Sequence, residues 1–83
     1  MKMMIFCVRD RATDQFGNPM FLINQGQAIR SFSDEVNRNA DDNMLFKHPD
    51  DYDLYVVGQF DTDHGTFDCH VPEQIAIGKS VKL

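Results

Sequence analysis

No stretch of this 83-residue chain approaches the ~20 consecutive apolar residues that a membrane helix needs, so no segment reads as a transmembrane span. Basic side chains are scarce: eight Lys and Arg stand against thirteen Asp and Glu, for a net charge of −5. That balance argues against strong non-specific phosphate binding, which needs a net basic surface. There are only two cysteines, Cys7 and Cys69, and no C-x-x-C pair, which argues against a disulfide scaffold or a zinc knuckle. Adjacent Cys69 and His70 on a strand point to opposite faces, so with His64 and Cys7 they make a poor zinc set. The apolar run Met1–Val8 is too short for a signal peptide and is stopped by Arg9-Asp10-Arg11, so a reducing cytoplasm with free thiols is expected; a Cys7–Cys69 bridge is the alternative.

Catalytic signatures are also missing. Gly78-Lys79-Ser80 echoes the end of a phosphate-binding loop, but Glu73 stands where the first glycine belongs and too few residues follow for the required helix. Asp61-Thr62-Asp63-His64-Gly65 lacks the spacing and flanking helices of a calcium loop and reads as a hairpin turn. None of Ser31, Ser33 and Ser80 sits in a G-x-S-x-G elbow, and Asp50, Asp51 and Asp53 read as a solvated turn. No enzymatic activity, cofactor or metal is expected.

What is present is ordinary globular composition, 42% hydrophobic and 25% charged, in a single domain spanning residues 1–83. A domain of this size buries only about 60% of the surface its unfolded chain exposes, so its margin is thin. Charge is unevenly placed. Residues 1–47 carry six basic and six acidic side chains, whereas residues 48–83 carry two basic against seven acidic.

Residues 3–9 read as a strand with Met3, Ile5 and Cys7 on one face and Met4, Phe6 and Val8 on the other. Residues 10–18 read as loop, and 20–23 as a second strand starting after Pro19. Asn24 or Gln25 opens a helix of about a dozen residues, with Ala28, Ile29, Phe32 and Val36 in one arc and an end near Asn39. Arg30, Asp34 and Arg38 share its opposite side, with Asp34 and Arg38 in the favourable order for an ion pair. Met44-Leu45-Phe46 is placed to cap the core, and His48–Tyr52 reads as a tight turn. Residues 53–60 and 66–71 form a third and fourth strand around a turn with Gly65 at positive φ. Pro72 interrupts, and Gln74–Ile77 offers a short edge strand.

The order β-β-α-β-β predicts an α+β fold, a small antiparallel sheet with one main helix on one face. Since three strands are apolar on both faces and one helix covers only one of them, the second face is expected to be buried in a homo-oligomer, most simply a two-fold dimer. The alternative is that Met44-Leu45-Phe46 and the C-terminus fold over it.

The candidate nucleic-acid contacts are Arg9, Arg11, Arg30, Arg38 and Lys47, with Phe16 or Tyr52 as a stacking surface. The competing reading pairs Arg30 and Arg38 with Asp34, and Arg9 and Arg11 with Asp10 and Asp14.

Two segments are distinctive: Gln27-Ala28-Ile29-Arg30-Ser31-Phe32-Ser33-Asp34-Glu35-Val36-Asn37, and Lys47-His48-Pro49-Asp50-Asp51-Tyr52-Asp53-Leu54-Tyr55-Val56-Val57-Gly58-Gln59-Phe60-Asp61. With Val8-Arg9-Asp10 and Pro19-Met20-Phe21 they resemble the small non-structural protein of gokushoviruses, single-stranded DNA phages of the microvirus family. The resemblance covers nearly the whole chain. It implies an accessory protein of the host cytoplasm, absent from the virion, that is commonly labelled DNA-binding and likened to a protein of related phages associated with single-strand synthesis and packaging. The partners so implied are single-stranded DNA and phage or host replication and packaging proteins; no residue-level site comes with it. A second reading is a protein-interaction adaptor that binds a replication protein and never touches DNA.

Overall fold

A computed structural model describes all 83 residues. It contains five antiparallel strands, β1 (Lys2–Asp10), β2 (Gln15–Phe16), β3 (Met20–Leu22), β4 (Tyr52–Asp61) and β5 (Thr66–Ile77). The helices are α1 (Gln25–Val36), α2 (Met44–Lys47) and α3 (Gly78–Val81), with a 3-10 turn at Pro49–Asp51. β1 and β4 form the centre of the curled sheet, β5 is one edge, and β2 and β3 both pair with the other side of β1. The α+β class with one main helix is as expected.

α1 starts where its sequence says it should. Asn24 is extended, and its side chain accepts from the Gln27 backbone N–H at 2.9 Å, satisfying one of the free donors of the first turn. Ala28, Phe32 and Val36 form a buried stripe that packs on Phe6, Leu54 and Val56 of the central strands. The helix ends at Val36, earlier than the polar run around Asn39 suggests. Asn37 caps it, its Nδ2 donating to the Ser33 carbonyl at 2.9 Å and to Val81 at 3.0 Å, so the same residue ties α3 to the helix end. Buried Asn43 makes a similar junction: Nδ2 donates to the carbonyls of Glu35 and Arg38, both at 2.8 Å, while Oδ1 accepts from Leu45 N–H at the start of α2.

The loop expected over residues 10–18 holds the two-residue strand β2. The two C-terminal strands expected around Pro72 are one strand, β5. Pro72 is tolerated because β5 is an edge and the register slips there: Gly58 opposes Cys69 and Val56 opposes Glu73, leaving Val57 against His70, Val71 and Pro72. A second slip leaves Val57 as an extra residue in β4 relative to β1, where Ile5 opposes Gly58 and Phe6 opposes Val56. Gly65 closes the β4–β5 turn with φ +67°. Gly78, the first residue of α3, lies so close to the 3-10 turn that a Cβ there would meet the carbonyl oxygens of Pro49 at 2.2 Å and Tyr52 at 2.7 Å. No helix is long and apolar enough to cross a membrane.

Candidate nucleic-acid interface

The uncovered face of the sheet follows from strand alternation. Met4, Phe6 and Val8 pack towards α1, so Met3, Ile5, Cys7 and Arg9 point the other way. Directly opposed residues share a face, which adds Phe16, Phe21, Asp53, Tyr55, Gly58 and Phe60, and then Phe67 and Cys69 from β5. This face therefore carries five aromatic rings in two groups.

Phe21, Phe60 and Phe67 form the first group, with ring centroids 4.8–6.2 Å apart in tilted and edge-on arrangements. Phe16 packs edge-on to Tyr55 at 5.2 Å in the second, with the Arg9 guanidinium 5.6 Å from the Phe16 ring. The two groups cover the middle of the face, and Ile5 and Cys7 are buried between them. The cover is incomplete, leaving Phe16 44%, Phe21 40% and Phe67 62% exposed.

Two arginines stand at the Phe16–Tyr55 end. Arg9 makes an ion pair with Asp14, which sits at φ +57° in the loop between β1 and β2. Asp14 first, and Tyr55 after it, push the Arg9 guanidinium above its ordinary pKa. The Arg11 backbone N–H donates to the Asp51 carbonyl at 2.8 Å, which places the side chain beside the start of β4, where Nε lies 3.2 Å from Asp53 Oδ2. Arg11 therefore pairs with Asp53, not with Asp10 or Asp14. Asp10 instead accepts from the backbone of Ala12 and Thr13 and closes the loop. Asp53 is the only acidic residue among the strand positions of this face, and it is buried.

The five sequence-selected cations do not converge. Arg9 and Arg11 share the aromatic face, while Arg30 on α1, Arg38 just past the C-terminal cap of α1 and Lys47 on α2 lie across the sheet. Arg38 pairs with Glu35 through Nε and Nη2 at 2.7–3.1 Å, not with Asp34; the three-residue spacing brings the planar fork onto the carboxylate. That bond lowers the Glu35 pKa and raises that of Arg38. Arg30 lies in an open, wholly polar patch with Gln27, Ser31, Asp34, Glu35 and Arg38. Of the two proposed stacking residues, Phe16 is on the exposed face, but Tyr52 opposes Asp10 and packs against the core beneath α1. Phe21, Phe60 and Phe67 were missed as a group. Their alternation with Met20, Gln59 and Asp68 was readable, but which strands stand side by side was not.

Cys7 and Cys69 are free thiols, Cys7 buried and Cys69 exposed. No cluster of His, Cys, Asp and Glu has the arrangement of a metal site.

Comparison with known proteins agrees with the resemblance at the level of the phage family. Residues 3–81 match the family model described as Phage ORF5 protein. Protein ORF5 of Chlamydia phage 1 is 33% identical over 70 residues, covering 81% of this chain and 72% of that protein. No solved structure matches. A match over nearly the full length places this chain in the phage ORF5 protein family.

Proposed function

We propose that this phage protein is an accessory factor of genome replication and packaging that binds single-stranded DNA across the helix-free face of its sheet. The observation that carries this reading is the grouping of five aromatic rings with Arg9 and Arg11 on one face, with the remaining acids elsewhere apart from Asp14 and the buried Asp53. Sheet faces bearing exposed rings stack unpaired bases, and each base so stacked contributes about 1–3 kcal/mol with little dependence on sequence. The overall charge of −5 does not carry over to this face, where Arg9 and Arg11 balance Asp14 and the buried Asp53 and a phosphate would compete with the exposed Asp14 for Arg9. Tyr55 and Phe60 are separated along β4 by roughly 13–17 Å, far more than the ~3.4 Å between stacked neighbours, so the two ring groups would hold bases of non-adjacent nucleotides.

Fluorescence anisotropy of a labelled oligothymidine at low and moderate salt tests the proposal. Two phosphate contacts give a slope of about −1.4 in log K against log salt, and Arg9→Ala or Arg11→Ala flattens it by about 0.7. Arg30→Ala leaves it unchanged. Absence of binding even at low salt would sink the reading.

A second reading, the protein-interaction adaptor, has one observation in its favour. A notch of about 260 Å³ between β1, α1 and α2 is lined by Val8, Met20, Phe32 and Leu45, with Ser31 and Glu35 at its rim. An apolar side chain of a phage or host replication protein would fit there, with an affinity nearly insensitive to salt.

A further inference from the structure

We propose that two copies of this chain associate through the free edges of their β5 strands, pairing Phe67–Val71 of one with Val71–Phe67 of the other about a two-fold axis at Cys69. β4 uses only one side of β5, so its outer backbone groups are free, and every residue from Thr66 to Gln74 is exposed, Val71 by 85%. Such edges are usually blunted by lysine or other charges, by proline or by a bulge. Between Thr66 and Val71 there is no lysine or proline and a single acid, Asp68, while Pro72 and the register slip over residues 70–72 end the usable stretch.

The occupant follows from the self-complementarity of this segment. A two-fold axis perpendicular to a sheet pairs each residue with a partner on the same face, so the axis must pass a residue and not the gap between two. An axis at Asp68 would set two carboxylates against each other. At Phe67 it would run into Gly65 of the turn, and at His70 it would set Asp68 against Pro72, which has no N–H. At Cys69 the pairs are Asp68 with the second copy's imidazole at position 70 and Phe67 with its valine at position 71. Charged, hydrogen-bonding and apolar partners then match in both directions. The His70 Nδ1 to Val71 carbonyl bond, 2.8 Å in the single chain, is exchanged for the carboxylate of the second copy. The same axis leaves both aromatic faces on one side of a continuous sheet and both α1 helices on the other. The pairing does not depend on whether those faces bind DNA.

Sedimentation velocity of the full chain across micromolar concentrations reads the association directly. The expected species has twice the 9.6 kDa chain mass, and Val71→Lys, at a side chain free in the single chain, weakens it at least tenfold. Diamide gives a second readout: it takes two electrons and two protons from the two Cys69 thiols, joining them as a disulfide while it is reduced to the hydrazine. The linked dimer is expected in the wild type and in Cys7→Ser, and is expected to vanish in Cys69→Ser. A chain that stays monomeric at every concentration overturns the proposal. So does a dimer that ignores Val71→Lys and gives no Cys69 link.

Discussion

Arg11 Nε lies 3.2 Å from Asp53 Oδ2, pairing a half-exposed cation at the end of β1 with a carboxylate buried at the start of β4. The other oxygen, Oδ1, has no partner, and neither has the buried Nε of Arg9 on the opposed residue. Arg11 is thus the only side chain compensating a charge taken out of water. Arg11→Ala leaves that charge alone, and because water reaches the arginine side of the pair the expected loss is about 1–2 kcal/mol, below that of a fully buried pair. Urea unfolding checks this: an unchanged midpoint in Arg11→Ala would mean that the Asp53 carboxylate is hydrated.

Asp14 occupies the guanidinium that a phosphate would need. Removing its charge frees Arg9 without touching the rings. Asp14→Asn is expected to tighten oligothymidine binding by about two- to fivefold at low salt, with the gain fading as salt screens it. Weaker binding in Asp14→Asn would show that Asp14 positions Arg9 and does not compete for it.

Gly78 begins α3 against the carbonyls of Pro49 and Tyr52, closer than any Cβ tolerates. Gly78→Ala must push α3 off the 3-10 turn, at an expected cost of about 1–3 kcal/mol. The Asn37 side chain should lose its bond to Val81 at the same time. Thermal unfolding measures the cost, and an unchanged Tm would contradict the close approach.

Alkaline pH should destabilise the fold. Desolvation, then the nearby Cys69, raises the Cys7 thiol above its ordinary 9.0, and desolvation, then the Asp10 charge, raises Tyr52 above 10.0. The folded state holds these protons more tightly than the unfolded chain. Their contribution is therefore complete below pH 9 and is lost as pH rises through the raised folded values. Glu35 and Asp61 run the other way, lowered by Arg38 and His64, so their contribution is present above the ordinary carboxylate range and is lost in acid; both are half-buried beside exposed partners that water screens, and they contribute little. A thiol reagent at pH 8 should modify Cys69 at once and Cys7 only on unfolding. Equal rates would place Cys7 at the surface.

Local signals carried most of the fold. The Ala28-Phe32-Val36 stripe and the Asn24 cap act within one helix, and the apolar runs at residues 3–9 and 53–60 marked β1 and β4 as strands. What failed depended on which strand lay beside which. Gln15-Phe16 is too short for any periodicity, and Pro72 reads as a break unless β5 is known to be an edge. Arg11 finds Asp53 only because β1 and β4 are neighbours. Likewise, Arg9 and Arg11 were named from charge, but their separation from Arg30, Arg38 and Lys47 is a matter of sheet faces, which a linear sequence does not display.

The most direct test of the central claim is oligothymidine binding by Phe21→Ala and Phe67→Ala, measured at one low salt concentration beside Arg30→Ala. Both rings are substantially exposed, so each variant should still fold, with a modest loss of stability where Phe21 packs beside Ile5. Loss of a stacked base predicts affinity reduced on the order of 5- to 150-fold for each ring variant, with Arg30→Ala unchanged. Ring variants that bind like the wild type, with Arg30→Ala weakened, would contradict the account and move the interface to the outer side of α1.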